Sequence, residues 1–137
     1  MVNKNHIFFF VTSLILVIDR LTKFLSTSIT FNSDFFSINI VKNQGVGFGL
    51  FQGQYYFILF VSLIVLGVII YYYNSIPNSY VNIAIALILG GTLGNLYDRL
   101  AYGYVIDFLD FKVWPVFNIA DTALVIGTIL LIIYFWD

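Results

Sequence analysis

Four long apolar segments alternate with short polar stretches along the chain. They lie at about 6–25, 55–73, 81–98 and 117–136. A helix needs about 20 predominantly apolar residues to cross the hydrocarbon core of a bilayer. The pattern therefore predicts a multi-pass membrane protein of the all-α class, with four transmembrane helices in a single domain over residues 1–137.

The connections between these segments differ in length. The short connection at 74–80 contains Pro77 and predicts that the second and third helices form an antiparallel hairpin. The connections at 26–54 and 99–115 are long, and the first contains Ser37-Ile38-Asn39-Ile40, an alternation typical of a β-strand. With four crossings, both long connections emerge on one side of the membrane, so their polar residues are expected to gather at one face.

Composition narrows the function further. The chain is 61% hydrophobic and 9% charged, whereas a soluble domain carries about 25% charged residues to present a wetted surface. A net charge of -1 disfavours a nucleic-acid partner. Without cysteine, and with His6 as the one histidine, the chain is poorly suited to a thiolate or histidine metal site or a Ser-His triad. We therefore expect no metal and no other cofactor.

Polar residues at the predicted helix ends and in the long connections are the candidates for chemistry. Each has an ordinary interpretation when taken alone: an ion pair at i, i+4, close helix packing at the Gly90–Gly94 GxxxG, or a capping acid at a helix N-terminus. Acids at the membrane edge are costly, however, and by default indicate a functional site. The set comprises Asp19, Lys23, Asn43, Asn95, Asp98, Arg99, Asp107, Asn118 and Asp121.

Two carboxylates brought close together can hydrolyse a peptide bond. Because like charges at short range cannot both ionise, one proton is shared between them. The ionised member takes a proton from water, and the protonated member donates to the carbonyl oxygen of the peptide bond. The residue pattern alone leaves open which two of Asp19, Asp98, Asp107 and Asp121 form such a pair.

Five blocks of sequence, in this order, resemble the lipoprotein signal peptidases (signal peptidase II), which are bacterial membrane aspartic peptidases. The resemblance covers nearly the whole chain; one departure is Gly47, where the family usually has Ala. The blocks are Asp19-Arg20-Leu21-Thr22-Lys23, Asn43-Gln44-Gly45-Val46-Gly47-Phe48, Gly90-Gly91-Thr92-Leu93-Gly94-Asn95-Leu96-Tyr97-Asp98-Arg99, Val105-Ile106-Asp107-Phe108 and Phe117-Asn118-Ile119-Ala120-Asp121.

The resemblance implies a fold, a reaction and a site. The fold is four transmembrane helices with a small extracytoplasmic β-cradle, here within 26–54, in the bacterial cytoplasmic membrane. The reaction removes the signal peptide from diacylglyceryl-modified prolipoproteins by a cut N-terminal to the lipidated Cys, with membrane lipid nearby and the enzyme a monomer. Asp107 and Asp121 would be catalytic. The supporting residues would be Asp19, Lys23, Asn43, Gly45, Asn95, Asp98, Arg99, Asn118 and Ala120, with Asp98 holding Arg99.

The sequence leaves open the orientation of the chain in the membrane and two other functions. The positive-inside rule taken alone favours the opposite orientation, since most cations flank the long connections; Lys23 and Arg99 have Asp neighbours, so we assign them to the site instead. A small proton-coupled transporter or channel subunit would also contain membrane acids, although near helix midpoints. A non-catalytic assembly subunit would use the GxxxG face but leaves the acids unexplained.

Overall fold

The computed structural model describes residues 4–45, 51, 53–76 and 80–136, and within them shows four α-helices and a three-stranded antiparallel sheet. The 46–48 part of the Gly-rich block, including Gly47, and the Pro77 turn lie outside the described residues. The helices are α1 (Lys4–Ser26), α2 (Tyr55–Tyr72), α3 (Tyr80–Tyr102) and α4 (Ile119–Trp136), and the strands are β1 (Phe31–Asn32), β2 (Ser37–Asn43) and β3 (Val105–Asp110). This architecture confirms the predicted fold class.

Helix length and surface character identify a multi-pass membrane protein. Within the described residues, three helical segments are long and apolar enough to cross a bilayer, namely Tyr55–Ser75, Tyr80–Tyr102 and Ile119–Trp136. The fourth helix, α1, is as long as α3 at 23 residues but carries three charges in its second half. Large apolar side chains cover the outward helix faces, as at Phe60, which is 61% exposed. Such a surface is stable only against lipid.

Helix α3 forms the centre of the bundle and packs against the other three helices. Its small residues allow the neighbouring backbones to approach closely. A Cβ added at Gly90 would lie 2.9 Å from Cβ of Ile15 on α1, and one at Gly94 would lie 2.9 Å from Oδ2 of Asp19. The GxxxG pair therefore serves helix packing, and the same face continues into the polar site.

The sheet brings the two long connections together. Strand β2 from the first connection pairs with β3 from the second, in the order β1-β2-β3. Both connections therefore lie at one end of the bundle, as predicted. The prediction that the cradle lies within 26–54 is wrong in one respect, because β3 supplies its third strand. The alternating burial of Val105, Ile106 and Asp107 fits this half-buried strand.

Helix boundaries near the site also differ from the prediction. Helix α3 continues past 98 to Tyr102, because no helix-breaking residue occurs before Gly103. Gly103 has a φ of +80°, and its N–H donates to the carbonyl oxygen of Arg99 at 2.9 Å, as expected for a glycine that ends a helix. Helix α4 begins at Ile119, so Asn118 is its N-cap. Asp98 and Arg99 consequently lie within α3, with Arg99 in its last turn.

Candidate active site

Asp107 and Asp121 line the same pocket at the sheet end of the bundle. Asp107 lies on β3 and is only 1% exposed. Asp121 lies in the first turn of α4. The chain between them reverses direction, and Phe117 then pairs with Leu109 in an isolated antiparallel bridge. The backbone therefore returns from one acid to the other within 14 residues.

Asn118 connects the two carboxylates and is fully buried. Its side-chain Nδ2 donates to Oδ1 of Asp107 at 2.6 Å, and its backbone N–H donates to Oδ2 of Asp121 at 3.2 Å. The backbone N–H of Asp121 in turn donates to Oδ1 of Asn118 at 2.8 Å. These last two bonds form a reciprocal capping box at the start of α4. Asp121 thus caps the helix and lines the pocket at once.

Two further amides complete the surroundings of the acids. Nδ2 of Asn43, at the end of β2, donates to Oδ2 of Asp107 at 2.8 Å. Nδ2 of Asn95, on α3, donates to Oδ1 of Asp121 at 2.7 Å. Across the part of the chain that the structure describes, neither carboxylate forms an ion pair with Lys or Arg. Neutral amides, not cations, are the direct partners of both acids.

This environment has a direct effect on protonation. Burial, and to a smaller extent the neighbouring Asp121 carboxylate, together raise the pKa of Asp107 from its ordinary 3.8 to about 7. The hydrogen bonds from Asn43 and Asn118 act in the opposite direction but do not offset the burial. With a pKa of about 7, the Asp107 carboxyl is partly protonated at neutral pH, whereas an ordinary aspartate is ionised.

A second cluster, which we call the ion quartet, consists of Asp19, Arg20, Lys23 and Asp98. The Asp98 carboxylate lies 2.5 Å from Arg20 and 2.7 Å from Lys23, and the Asp19 carboxylate lies 2.6 and 3.0 Å from the same two cations. Both aspartates are fully buried. The direct ion-pair partners of Asp98 are therefore the cations of α1, and its expected partner Arg99 interacts with it only through the electrostatic field.

The ion quartet also supports the pair of acids indirectly. Nζ of Lys23 lies 3.3 Å from Oδ1 of Asn95, the amide that donates to Asp121. Oδ1 of Asp19 accepts the backbone N–H of Ala120 at 3.1 Å, one of the unsatisfied donors at the start of α4. The quartet therefore orients one side chain and one helix terminus of the pocket.

Arg99 holds the opposite wall. One guanidinium nitrogen donates to the carbonyl oxygen of Gly45 at 2.9 Å, just after β2. The Arg99 carbonyl oxygen accepts the hydroxyl of Tyr55, the first residue of α2, at 3.1 Å. Arg99 thus links α3 to the cradle and α2, and it lines the pocket together with the two acids.

The pocket has a volume of about 530 Å³ and contains the two acids. Most of its other lining is apolar, as is usual for a site that binds a partly hydrophobic molecule. Side chains of α2 and α4 supply this part, including Phe57, Val61, Val65, Leu124 and Val125. A substrate bound here would place a polar bond near the carboxylates and apolar groups between the helices.

All eleven predicted site residues lie within the described part of the chain, and they converge at this end of the bundle. Arg20 was not among the predicted site residues, although it lies in the block from Asp19 to Lys23; its i, i+3 spacing from Lys23 was the available signal. Within the described residues, no group of three or more His, Cys, Asp or Glu side chains is arranged to hold a metal ion.

Comparison with known proteins finds a matching family model and similar relatives. A family model described as signal peptidase (SPase) II matches residues 11–137. The lipoprotein signal peptidase of Halothermothrix orenii is 40% identical over 94% of this chain and 94% of its own length. That of Moorella thermoacetica is 39% identical over 90% of this chain and 89% of its own length.

Two solved structures have the same fold. Both are bacterial membrane enzymes determined by the in meso method, one at 2.3 Å and one at 1.9 Å resolution. The first has a TM-score of 0.87 at 29% identity, covering 94% of this chain and 87% of that chain. The second has a TM-score of 0.82 at 29% identity, covering 93% of this chain and 91% of that chain.

Proposed function

This chain belongs to the signal peptidase II family and removes the signal peptide from prolipoproteins, and we propose that it does so as an aspartic endopeptidase. Asp107 and Asp121 are the proposed catalytic residues. The observation that carries the proposal is that these two buried carboxylates, bridged by Asn118, have amides but no cation as direct partners. The proposed substrate is a diacylglyceryl-modified prolipoprotein, cut N-terminal to the lipidated Cys.

The chemistry follows from one shared proton. The ionised carboxylate takes a proton from a water molecule, and the water oxygen attacks the carbonyl carbon of the scissile peptide bond. The other carboxylate gives its proton to the carbonyl oxygen. When the carbon–nitrogen bond breaks, the carboxylate that received the water proton passes it to the leaving nitrogen. Asp107, with its pKa of about 7, holds the shared proton near neutral pH.

The supporting residues act on the two acids through geometry. Asn43, Asn95 and Asn118 donate to the four carboxylate oxygens and fix the carboxylate planes. The ion quartet holds Asn95 and the start of α4, where Ala120 lies. Arg99 holds the Gly45 backbone beside the pocket. We propose that these contacts keep the acids ready for attack without reorganisation, which is the main benefit of a preorganised site.

The membrane setting follows from the shape of the bundle. Both long connections lie at the end that contains the acids, and the apolar part of the pocket lies between helices that face lipid. We propose that this end faces the extracytoplasmic side of the bacterial cytoplasmic membrane and that the lipid part of the substrate lies in the apolar pocket. We further propose that residues 1–137 act as one catalytic domain and as a monomer.

The transporter alternative is not favoured by the positions of the acids. A proton relay would place acids near helix midpoints, along a path across the membrane. Here the two amide-bound acids lie on a strand and in the first turn of a helix, both at one end of the bundle. They line one pocket beside a sheet, which suits binding of a peptide bond.

A reconstituted cleavage assay tests the proposal. The detergent-solubilised protein is incubated with a diacylglyceryl-modified lipobox peptide, with and without a strong chelator, and the products are identified by mass spectrometry. We expect cleavage N-terminal to the lipidated Cys, unchanged by the chelator, and none of the same peptide without lipid. Activity that is lost with the chelator and restored by zinc would exclude the aspartic mechanism.

Cysteine labelling tests the orientation in the same cysteine-free background. Ser33, in the β1–β2 connection, and Ser75, in the short turn after α2, are both exposed. With Ser33→Cys and Ser75→Cys as matched single variants, an impermeant maleimide in intact spheroplasts is expected to label the first alone. Labelling of Ser75→Cys but not Ser33→Cys would reverse the topology, as the positive-inside rule alone suggests.

A further inference from the structure

A polar cluster lies at the far end of the β2–β3 pair, away from the catalytic acids. We call it the register clamp; it consists of Ser37, Asn39, Asp110 and Lys112. Nζ of Lys112 donates to Oδ2 of Asp110 at 2.9 Å and to Oγ of Ser37 at 2.8 Å, and the Ser37 hydroxyl donates to the same Asp110 oxygen at 2.9 Å. Ser37 is fully buried, although it lies on a small sheet. The proposed reaction does not use this cluster.

The turn after β3 is unusual, and its central residue, Lys112, is bonded to Asp110 of the clamp. The N–H of Val113 donates to the carbonyl oxygen of Phe111 at 2.7 Å, across a three-residue turn centred on Lys112. Lys112 has a φ of +64°, which is uncommon for a residue with a side chain and is found in the rare, strained form of this turn. The Asp110 carboxylate holds Lys112 at both ends, by its backbone N–H at 2.9 Å and by Nζ.

The clamp also lies beside an irregularity in the β2–β3 ladder. Ser37 pairs with Asp110 and Ile38 with Leu109, but the next pair is Val41 with Asp107. Two residues of β2, Asn39 and Ile40, therefore lie opposite the single residue Phe108, as in a β-bulge. The Asn39 side chain is tied into the clamp, since its Nδ2 donates to Oγ of Ser37 at 2.6 Å and to Asp110 at 3.2 Å.

Beside the bulge, the backbone of β3 forms hydrogen bonds with Phe117, the residue that precedes Asn118. The N–H groups of Phe108 and Leu109 both donate to the carbonyl oxygen of Phe117, at 3.0 and 2.9 Å, and the N–H of Phe117 donates back to Leu109 at 3.1 Å. Phe117 immediately precedes Asn118, the residue that bridges Asp107 and Asp121. The clamp is therefore connected to both acids through the β2–β3 ladder, the Leu109–Phe117 bridge and Asn118.

From this arrangement we propose that the register clamp sets the position of Asp107 relative to Asp121, and that Ser37, Asp110 and Lys112 are positioning residues for catalysis. The proposal rests on the proposed function of the two acids. A slip of one residue in the β2–β3 register would turn Asp107 to the other face of the sheet. A smaller loosening would shift it by a fraction of that distance, and a misplacement of about 1 Å costs on the order of 100-fold in rate.

A reversible disulfide between β2 and β3 tests the proposal most directly. Because Ser37 and Asp110 are directly paired across an antiparallel ladder, their Cα atoms lie at the roughly 4.5–5.5 Å typical of such pairs, which suits a disulfide. In the double variant Ser37→Cys/Asp110→Cys, the reduced form lacks the clamp and the oxidised form replaces it covalently. We expect kcat of the reduced form to fall on the order of 10- to 100-fold with KM little changed, and oxidation to restore it.

The pH profile separates positioning from simple stabilisation. Asp121 on α4, Lys23 on α1 and Arg99 on α3 are the charged groups around Asp107, and none of them is substituted here. If the two acids move apart in the reduced variant, the pKa of Asp107 falls and the alkaline limb of the activity profile moves to lower pH. Because the folded fraction can itself change with pH, it is measured at each pH and activity is expressed per folded molecule; a limb that then coincides with that of the wild type would contradict the clamp.

Two single variants and one inactive variant complete the test. Lys112→Met removes the ammonium and is expected to lower kcat and move the same limb, whereas Asp34→Asn, at an exposed acid in the β1–β2 turn, is expected to change neither. Wild-type turnover by the reduced double variant, or losses fully explained by the folded fraction, would overturn the clamp. Asp107→Asn is assayed alongside: if it is active, the proposed function has failed rather than the clamp.

Discussion

Two pairs of aspartates lie in this bundle, and their partners differ completely. Asp19 and Asp98 are each within 3.0 Å of Arg20 and Lys23. Asp107 and Asp121 accept hydrogen bonds from amides, with no ion pair among the described residues. The first pair is neutralised by two cations. The second pair has no cation in direct contact, and the pKa of Asp107 is raised to about 7.

This difference supports the proposal that one pair of acids is structural and the other catalytic. Asp19 and Asp98 each contact two cations directly, so these acids serve to join helices. A buried acid without a cation must take up a proton, as Asp107 does with its pKa of about 7. On this account the reactivity of an acid follows from the absence of a directly bonded cation. The substitutions below test one pair of acids, or the packing between the two pairs.

The largest expected effect is on turnover in Asp121→Asn. An amide keeps the shape of the side chain and the capping position but cannot take a proton from water. We expect kcat to fall at least 10²- to 10⁴-fold, with thermal unfolding close to that of the wild type. The exposed acid variant Asp34→Asn is the control for loss of one charge. A substantially active Asp121→Asn would remove Asp121 from the catalytic pair.

The next effect is on stability, in Asp98→Asn. This change leaves Arg20 and Lys23 with one acid in place of two, and removing one member of a buried ion pair costs roughly 3–5 kcal/mol. We expect a much lower unfolding midpoint in detergent, while the protein that remains folded keeps the wild-type pH profile. A stable but inactive Asp98→Asn would place this acid on the catalytic side of the comparison.

The third effect is a loss of stability with rising pH, to which Asp107 contributes through its raised pKa. Because the pKa of Asp107 is about 7 in the folded protein and about 3.8 otherwise, the folded state binds more protons between these values. The wild type therefore loses stability as pH rises through that window, by up to roughly 4 kcal/mol. Asp107→Asn should not show this loss, so its stability relative to wild type should increase from pH 4 to pH 8. Parallel unfolding curves would contradict the raised pKa.

The smallest effect concerns the packing that keeps the two pairs apart. A Cβ at Gly94 would lie 2.9 Å from Oδ2 of Asp19 and 3.2 Å from Cβ of Ala120. Gly94→Ala is therefore expected to cost about 1–3 kcal/mol. Gly67→Ala on α2, where nothing lies within 4 Å of the added carbon, is the matched control and should be neutral. Equal stability of the two variants would show that this three-helix contact tolerates an added methyl group.

The helices could be predicted from sequence because lipid imposes both their length and their apolar composition. The capping box was also readable, as Asn118 and Asp121 with their i, i+3 spacing. Strand β3 was not predicted as part of the cradle, since it is six residues long and its partner Asn43 is 64 positions from Asp107. Such pairing depends on the tertiary fold rather than on local pattern.

The direct partners of the acids were the second feature that the sequence did not predict fully. Local spacing suggested Asp19 with Lys23, and the structure contains that pair. It gave no sign that Arg20 reaches Asp98, 78 positions away, or that Asp98 turns from its neighbour Arg99. Physical reasoning on the sequence left four acids as equal candidates, and only the family resemblance selected Asp107 and Asp121. The structure adds the reason that could separate them, which is the distribution of cations.

The most direct test compares Asp107→Asn and Asp98→Asn in one experiment. Each purified variant is assayed for turnover of the lipidated peptide per folded molecule, with peptide binding and unfolding measured separately. We predict that Asp107→Asn binds the peptide and stays folded but turns it over at least 10²-fold more slowly, whereas Asp98→Asn is less stable and active in its folded fraction. Near-normal turnover by Asp107→Asn together with an inactive, folded Asp98→Asn would contradict the account.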